Sequence, residues 1–248
     1  MSAPAPAPWQ TAGASARQRA RELRQAELAE QHRRARVWAL PSLVLAYLGY
    51  STADLVFTPT LSLAAALAIP VLLMRRIYEP SPQVRRWQLG AAGEQRTARI
   101  LTSLTRQHWV VLHDRRVPDS RANLDHIALV PDGMGAVYVD TKTTRGGGRV
   151  SVRGGVLRIG RSSYKNALST VEWEAAQASK ALGVPVSPVI AIQGATVPRH
   201  GIATGSGLTI VAANRLPQTL RQIRHQHEPN VLAALTARAE AVLPRYTA

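Results

Sequence analysis

The stretch Asn123–Lys142, NLDHIALVPDGMGAVYVDTK, decides how this chain is read. Two runs rich in Leu, Ile, Val and Ala flank PDGMG, and Asp-Gly between such runs is among the strongest hairpin-turn signals. Leu124–Val130 and Ala136–Lys142 are therefore predicted to be antiparallel strands. An unpaired charge on a buried strand face costs on the order of several kcal/mol, yet Asp125, Asp140 and Lys142 all lie within these runs. If Asp132-Gly133 forms a two-residue turn, residue pairs across the hairpin sum to 265 and Asp125 falls directly opposite Asp140, with Cβ atoms roughly 5 Å apart. Strand alternation puts Tyr138, Asp140 and Lys142 on that face and Val137, Val139 and Thr141 on the other.

Two carboxylates so placed repel, and either one takes up a proton or a cation sits between them. The chain has no cysteine, which excludes disulfides and thiolate metal sites and leaves oxygen ligation suited to Mg²⁺ or Mn²⁺. An ammonium two residues from Asp140 neutralises phosphate charge or orients water, so the set contains the parts for phosphodiester hydrolysis. The competing explanation is a structural salt bridge on a hairpin. Glu94, in GAAGEQRTARIL, stands one helical turn before Ala98 and two before Leu101, hence on the inward face. It is either a third acid of the site or an ordinary glutamate near a helix N-terminus. Gly93 beside it permits close approach of another backbone.

Outward from this core the composition sets wider bounds. The chain has 248 residues, 46% of them hydrophobic, enough for one medium domain with additions. A formal charge of +16 and a pI near 11.5 favour a polyanionic partner, nucleic acid or an acidic membrane leaflet. Met1–Ser15 is Ala/Pro low complexity and is expected to be disordered. Arg17–Arg36 reads as a charged helix without a continuous apolar stripe. Val37–Met74 then carries a single formal charge, Asp54. Since a helix needs roughly 20 residues to cross a bilayer, this run fits two short spans joined near Asp54–Pro59. Arg33, Arg34 and Arg36 before it and Arg75 and Arg76 after it place both flanks on the cytoplasmic side. A signal peptide cleaved after Ala53 is the first alternative, although a second apolar run follows at once. A buried soluble hairpin, with Pro41 and Pro70 interrupting its helices, is the second.

After the linker EPSPQV the pattern becomes mixed α/β. A helix is predicted over Trp87–Gln107, strands over Trp109–His113, Val186–Ile192 and Leu208–Ala212, a helix over Asn166–Leu182 and helical segments from Leu216 onward. Arg149–Ile159 reads as an exposed Gly-Gly-turned hairpin. Its Arg149, Arg153 and Arg158, with Arg145 and Arg161, form a candidate phosphate-tracking edge. His126 alternates to the face opposite Asp125 and reads as a hydrogen-bonded core residue. Gly146–Gly148 lacks the Lys-Ser/Thr of a phosphate loop and reads as a turn.

Taken in order, GAAGE (Gly90–Glu94), WVVLHD (Trp109–Asp114), NLDHIALVPDG (Asn123–Gly133) and VYVDTK (Val137–Lys142) resemble the nuclease-related domain, NERD, of the PD-(D/E)xK restriction-endonuclease-like superfamily. The resemblance extends from about Gly90 to Leu220. It implies a restriction-endonuclease-like α/β fold, a mixed sheet flanked by helices, here preceded by the transmembrane hairpin. It also implies Asp125 as the acid of the first motif, Asp140 and Lys142 as the D-x-K and Glu94 as the helix-borne acid. All four are then catalytic, with Asp125, Asp140 and Glu94 holding Mg²⁺ or Mn²⁺. Leu124 stands where relatives often have Pro. Gln177 is followed four residues on by Ala181 and not by Tyr, so Asn166 and Gln177 enter only as site-adjacent residues.

The expected organisation is an N-terminal arm over residues 1–36, a transmembrane hairpin over 37–76 and a NERD nuclease-like domain over 85–245. The expected function is a bacterial, multi-pass membrane-anchored nuclease, its C-terminal domain cytoplasmic, acting on nucleic acid, DNA first. The alternatives are a catalytically inactive nucleic-acid-binding or scaffolding module of the same fold, and a basic factor that meets only lipid.

Overall fold

The computed structural model describes residues 8–53, 58–120, 122–223 and 226–246. The chain divides into two compact units, one made of Met1–Gln18 with Gln88–Ala248 and the other of Arg19–Trp87. Its elements in order are α1 (Pro8–Thr11), α2 (Ala14–Ala53), α3 (Pro59–Ile77), α4 (Pro82–Leu101) and a 3₁₀ segment, Thr102–Gln107. Strands β1 (Val110–Arg116), β2 (Asn123–Leu129), β3 (Ala136–Thr143), β4 (Val150–Arg153), β5 (Val156–Ile159) and β6 (Ser162–Tyr164) follow. The remainder is α5 (Ala167–Leu182), β7 (Val186–Gln193), β8 (Ile202–Ala203), β9 (Thr209–Ala212), a 3₁₀ turn, α6 (Leu216–Arg221) and α7 (Pro229–Val242).

The main sheet has the order β1-β2-β3-β7-β9-β8. Its first three strands are an antiparallel meander, β3, β7 and β9 run parallel, and β8 closes the far edge antiparallel. The parallel step from β3 to β7 requires a crossover, and α5 supplies it. One sheet face packs Ile127, Tyr138 and Ile190 against Val171, Ala175 and Leu182 of α5 and Leu235 of α7. The other packs Val137, Val139 and Val211 against Leu101, Leu104, Trp109 and Leu216. Burial on both faces explains why these strands are nearly continuous hydrophobic runs.

The β2–β3 register matches the sequence expectation: His126 faces Val139 and Ile127 faces Tyr138. The turn is longer than a two-residue loop, with Val130 N–H bonded to Gly135 O at 3.0 Å and Gly133 N–H to Val130 O at 2.9 Å. Asp132 and Gly133 still sit at its centre, and Gly133 takes the left-handed φ of 68° that the turn demands. The Arg-rich hairpin has its Gly154-Gly155 turn and gains a third strand, β6. Val150, Leu157 and Ile159 point into the core, while Arg153 and Arg158 are exposed.

The N-terminal arm departs from the low-complexity reading. Residues 1–7 lie outside the described residues, but α1 is helical, and Ser15 donates its N–H to Asp114 Oδ2 at 2.8 Å. Gly13, at φ 71°, lies so close to Ala91 that any side chain there would collide with its backbone. Trp9 also receives the Arg99 guanidinium 4.5 Å from its ring centre. Composition alone could not foresee these long-range partners.

In the second unit α2 continues through Pro41 and α3 through Pro70, so neither proline breaks its helix. Ser42, Ser62 and Ala66 are buried, while Leu40, Tyr47, Leu61, Leu67 and Leu72 are exposed. Gly49 lies against Ile69, where an added Cβ would come within 3.1 Å of its Cδ1. Among the described residues α3 alone is long and apolar enough to cross a bilayer by length and composition, so the second expected span has no counterpart by that measure. The junction expected near Asp54–Pro59 falls largely on residues 54–57, outside the described residues.

Candidate active site

Three aspartates stand in a row across the antiparallel meander. The β1–β2 register pairs His113 with His126 and Arg115 with Leu124, leaving Asp114 and Asp125 facing each other at a gap in the ladder. The β2–β3 pairing ends at His126 and Val139, one step before Asp125 and Asp140. Two local events open the ladder. Asp114 adopts φ 52°, rare for a non-glycine residue, and Thr141 N–H donates to Asp125 Oδ2 at 2.8 Å in place of a backbone partner. The side chains therefore sit where the sheet stops satisfying itself.

Asp140 is buried, with 6% of its surface exposed. Lys142 Nζ donates to its Oδ1 at 2.7 Å, but Oδ2 has no hydrogen-bond partner. From α4 comes Glu94, equally buried, whose Oε2 is also without a partner. Thr97, Ala98 and Leu101 on the same helical stripe are fully buried, which confirms the inward face read from the spacing. The close approach at Gly93 is made by Thr143: a Cβ on Gly93 would collide with the Thr143 side chain. Gln193 at the end of β7 fixes this corner, donating its amide to Gly93 O at 2.8 Å and to Thr97 Oγ1 at 2.7 Å.

The charges respond to this crowding. Burial, followed by repulsion from Asp114 and Asp140, pushes the Glu94 carboxyl up to about 8. Asp125 retains some accessible surface, yet the dense protein around it and the charges of Glu94 and Asp140 hold its carboxyl well above the usual carboxylate range. Lys142 would lose its proton more readily through burial alone, but the Asp140 and Asp125 charges outweigh that and keep it firmly protonated. Two carboxyls that prefer a proton beside a fixed ammonium describe a site short of positive charge.

Two acids belong to this constellation that the sequence reading did not single out as site residues. Asp114 is 2% exposed and accepts hydrogen bonds from Ser15 N–H and from Asn123 Nδ2, the latter at 2.5 Å. Glu174 on α5 is buried and accepts the Tyr138 hydroxyl at 2.7 Å. Burial, with Asp140 repulsion, pushes Glu174 up to about 7. A signal for Glu174 existed: it interrupts the apolar stripe Leu168, Val171, Ala175, Ala178 and Leu182, as Glu94 interrupts its own. Asn166 and Gln177 fall elsewhere. Asn166 is exposed ahead of α5, and Gln177 lines a separate hollow with Asp119 and Trp173.

His126 is the buried core residue expected, its Nδ1 2.9 Å from Nδ1 of His113. Burial pulls both imidazoles below their usual range, His113 to about 4. Arg145, Arg149, Arg153 and Arg158 are all exposed. Among the described residues no three His, Asp or Glu side chains are arranged as a ready-made metal cage.

Residues 89–193 match the family model described as Nuclease-related domain, NERD. That segment is a nuclease-related domain. The matched NERD span holds Glu94, Asp114, Asp125, Asp140, Lys142 and Glu174 and ends on Gln193, so the whole charged constellation lies within it. No curated protein and no solved structure matches the chain.

Proposed function

We propose that the chain is a divalent-metal-dependent nuclease held at the cytoplasmic face of a bacterial membrane, with DNA as its polyanionic partner. One observation carries the chemistry: Glu94 Oε2 and Asp140 Oδ2 are buried acceptors without donors, in a site where Glu94 and Asp125 prefer to be neutral. Buried polar atoms are normally satisfied, and Mg²⁺ or Mn²⁺ requires only one or two carboxylates when it keeps its own waters. The donor set fits such an ion, with Asp140, Glu94 and Asp125 as its holders. When bound, the ion supplies electrostatic stabilisation and water activation for phosphodiester hydrolysis. Lys142, kept protonated by its neighbours, contributes charge toward a phosphate oxygen. Asp125 anchors the Thr141 amide and thereby the orientation of Asp140 and Lys142 on either side of it.

The membrane part of the proposal is supported by the inverted surface of the second unit. Small and hydroxyl-bearing residues are inside, large apolar residues are outside, and exposed Arg33, Arg34, Arg36, Arg75 and Arg76 flank the apolar run. That pattern suits a lipid surround and cytoplasmic flanks.

A second reading, a nucleic-acid-binding module without turnover, draws on the Lys142–Asp140 ion pair and on the lack of a ready-made three-acid cage among the described residues. Calorimetric titration with Mn²⁺ and a cleavage assay on one preparation separate the two. For the nuclease, Asp140→Asn abolishes both ion binding and cleavage, whereas Lys142→Met abolishes cleavage and leaves ion binding largely intact. A chain that binds nucleic acid but ignores Mn²⁺, and that melts several degrees lower as Asp140→Asn, is the binding module.

A further inference from the structure

Beside the carboxylates, at the carboxyl ends of the parallel strands β7 and β9, lies a cavity of about 710 Å³. Ligands in open α/β sheets collect at that end of the strands, and the volume falls within the range of small-molecule sites. Ile192 and Gln193 from β7, Ala212 from β9 and Asn214 are among the residues that line it. We infer that this cavity receives a single unstacked nucleobase of a strand whose phosphate lies at the carboxylates. The inference rests on the nuclease reading above and adds to it a base-binding subsite and a preference for single-stranded substrate.

Three features of the molecule support that occupant. First, cavity and carboxylates share a wall. In the β3–β7 register Lys142 pairs with Ile192 and Thr143 with Gln193, and neighbouring strands are about 4.8 Å apart. The Gln193 side chain that lines the cavity also grips Gly93 and Thr97 next to Glu94. Second, the rim is cationic. Exposed Arg96 and Arg99 of α4 line it, the latter with its guanidinium over Trp9, and Gly147, which also lines it, stands between exposed Arg145 and Arg149 in sequence. Guanidinium groups at such a rim bind the phosphates that flank a base seated in the cavity. Third, the lining combines apolar surface for the faces of a ring with polar groups for its edge: Asn214 and the carbonyl oxygen of Gln193, whose Nε2 is committed to Gly93 and Thr97, which is the chemistry of a nucleobase. A base stacked in a duplex cannot enter, so the strand must be single or locally opened.

The test uses the full chain carrying Asp140→Asn, in mild detergent, titrated with a short single-stranded oligonucleotide containing one 2-aminopurine. A saturable change in 2-aminopurine emission is expected. Ala212→Phe, which fills the cavity, should weaken that signal at least tenfold, Arg96→Gln should weaken it severalfold, and both should melt as the parent does. An unlabelled duplex of the same sequence should compete at least tenfold less well than the single strand. The inference is overturned if both variants melt normally and leave the titration unchanged, or if duplex and single strand compete equally. Cleavage by the unmodified chain without a base signal removes the subsite and keeps the nuclease. A base signal without cleavage by the unmodified chain keeps the subsite and removes the nuclease.

Discussion

Replacing Glu94 by Gln removes a carboxyl that burial and the charges of Asp114 and Asp140 push from 4.5 up to about 8. Because the folded protein holds this proton more tightly than the unfolded chain, the associated stability is complete below the unfolded value and is lost as pH rises through the folded one. At ~1.4 kcal/mol per pH unit, the metal-free protein gives up about 3 kcal/mol between the unfolded value and pH 7. Glutamine keeps the shape without the charge, so Glu94→Gln should recover that amount near neutrality and less than about 1 kcal/mol at pH 5. For a chain of this size the gain at pH 7–8 corresponds to roughly 6–12 °C in Tm. The assay is thermal melting of both proteins in chelator at pH 5 and pH 8, repeated with Mn²⁺. Mn²⁺ should raise the Tm of the unmodified chain, since it binds the native state, and should have little effect on Glu94→Gln. Equal melting of the two proteins at both pH values would show that Glu94 experiences no repulsion. A lower Tm for Glu94→Gln at pH 8 would make Glu94 a stabilising ion-pair partner and refute the cation-site reasoning.

Changing Arg149, Arg153 and Arg158 together to Gln should weaken nucleic-acid binding evenly across sequences and lower the slope of log affinity against log salt by roughly 2–3; an unchanged slope would leave these residues as plain solvated surface. Gly93→Ala should destabilise the nuclease-related domain by on the order of 1–3 kcal/mol, because β-branched Thr143 cannot swing away from the new methyl group. Thr143→Ala on the same background should restore part of the loss, since it removes the hydroxyl but keeps a Cβ 2.9 Å from the new methyl group, and chemical denaturation can measure the recovery. Reporter fusions near Ser15 and after the C-terminus should both read cytoplasm, and a C-terminal fusion reading the opposite side would remove the anchored-nuclease proposal.

The part of this protein written in local periodicity was legible before any coordinates. A two-residue alternation and an Asp-Gly turn sufficed to set the β2–β3 register that leads to Asp125 and Asp140, even though the loop is longer than the two residues assumed, because Asp132 and Gly133 remain at its centre. A 3.6-residue period sufficed to turn Glu94 inward with Ala98 and Leu101. The four ordered motifs that resemble the nuclease-related domain are likewise properties of the linear chain, and residues 89–193 carry the match.

What tertiary structure alone decided depends on partners far away in sequence. Asp114 becomes a site residue because its backbone turns to φ 52° opposite Asp125 and because Ser15, ninety-nine residues earlier, donates to it. No local pattern encodes that meeting, and the same contact holds the end of a stretch whose Ala/Pro composition reads as disordered but whose residues 8–11 are helical. On α5, spacing from a motif pointed to Gln177, but the helix's rotation against the sheet is set by Leu168, Val171, Ala175 and Ala178, and it presents Glu174 to Tyr138 instead. The cavity beyond Gln193 exists only where the ends of α4, β7 and β9 meet the Gly147 turn. Sequence fixes which face a side chain takes within its own element, and long-range packing fixes which other elements that face meets.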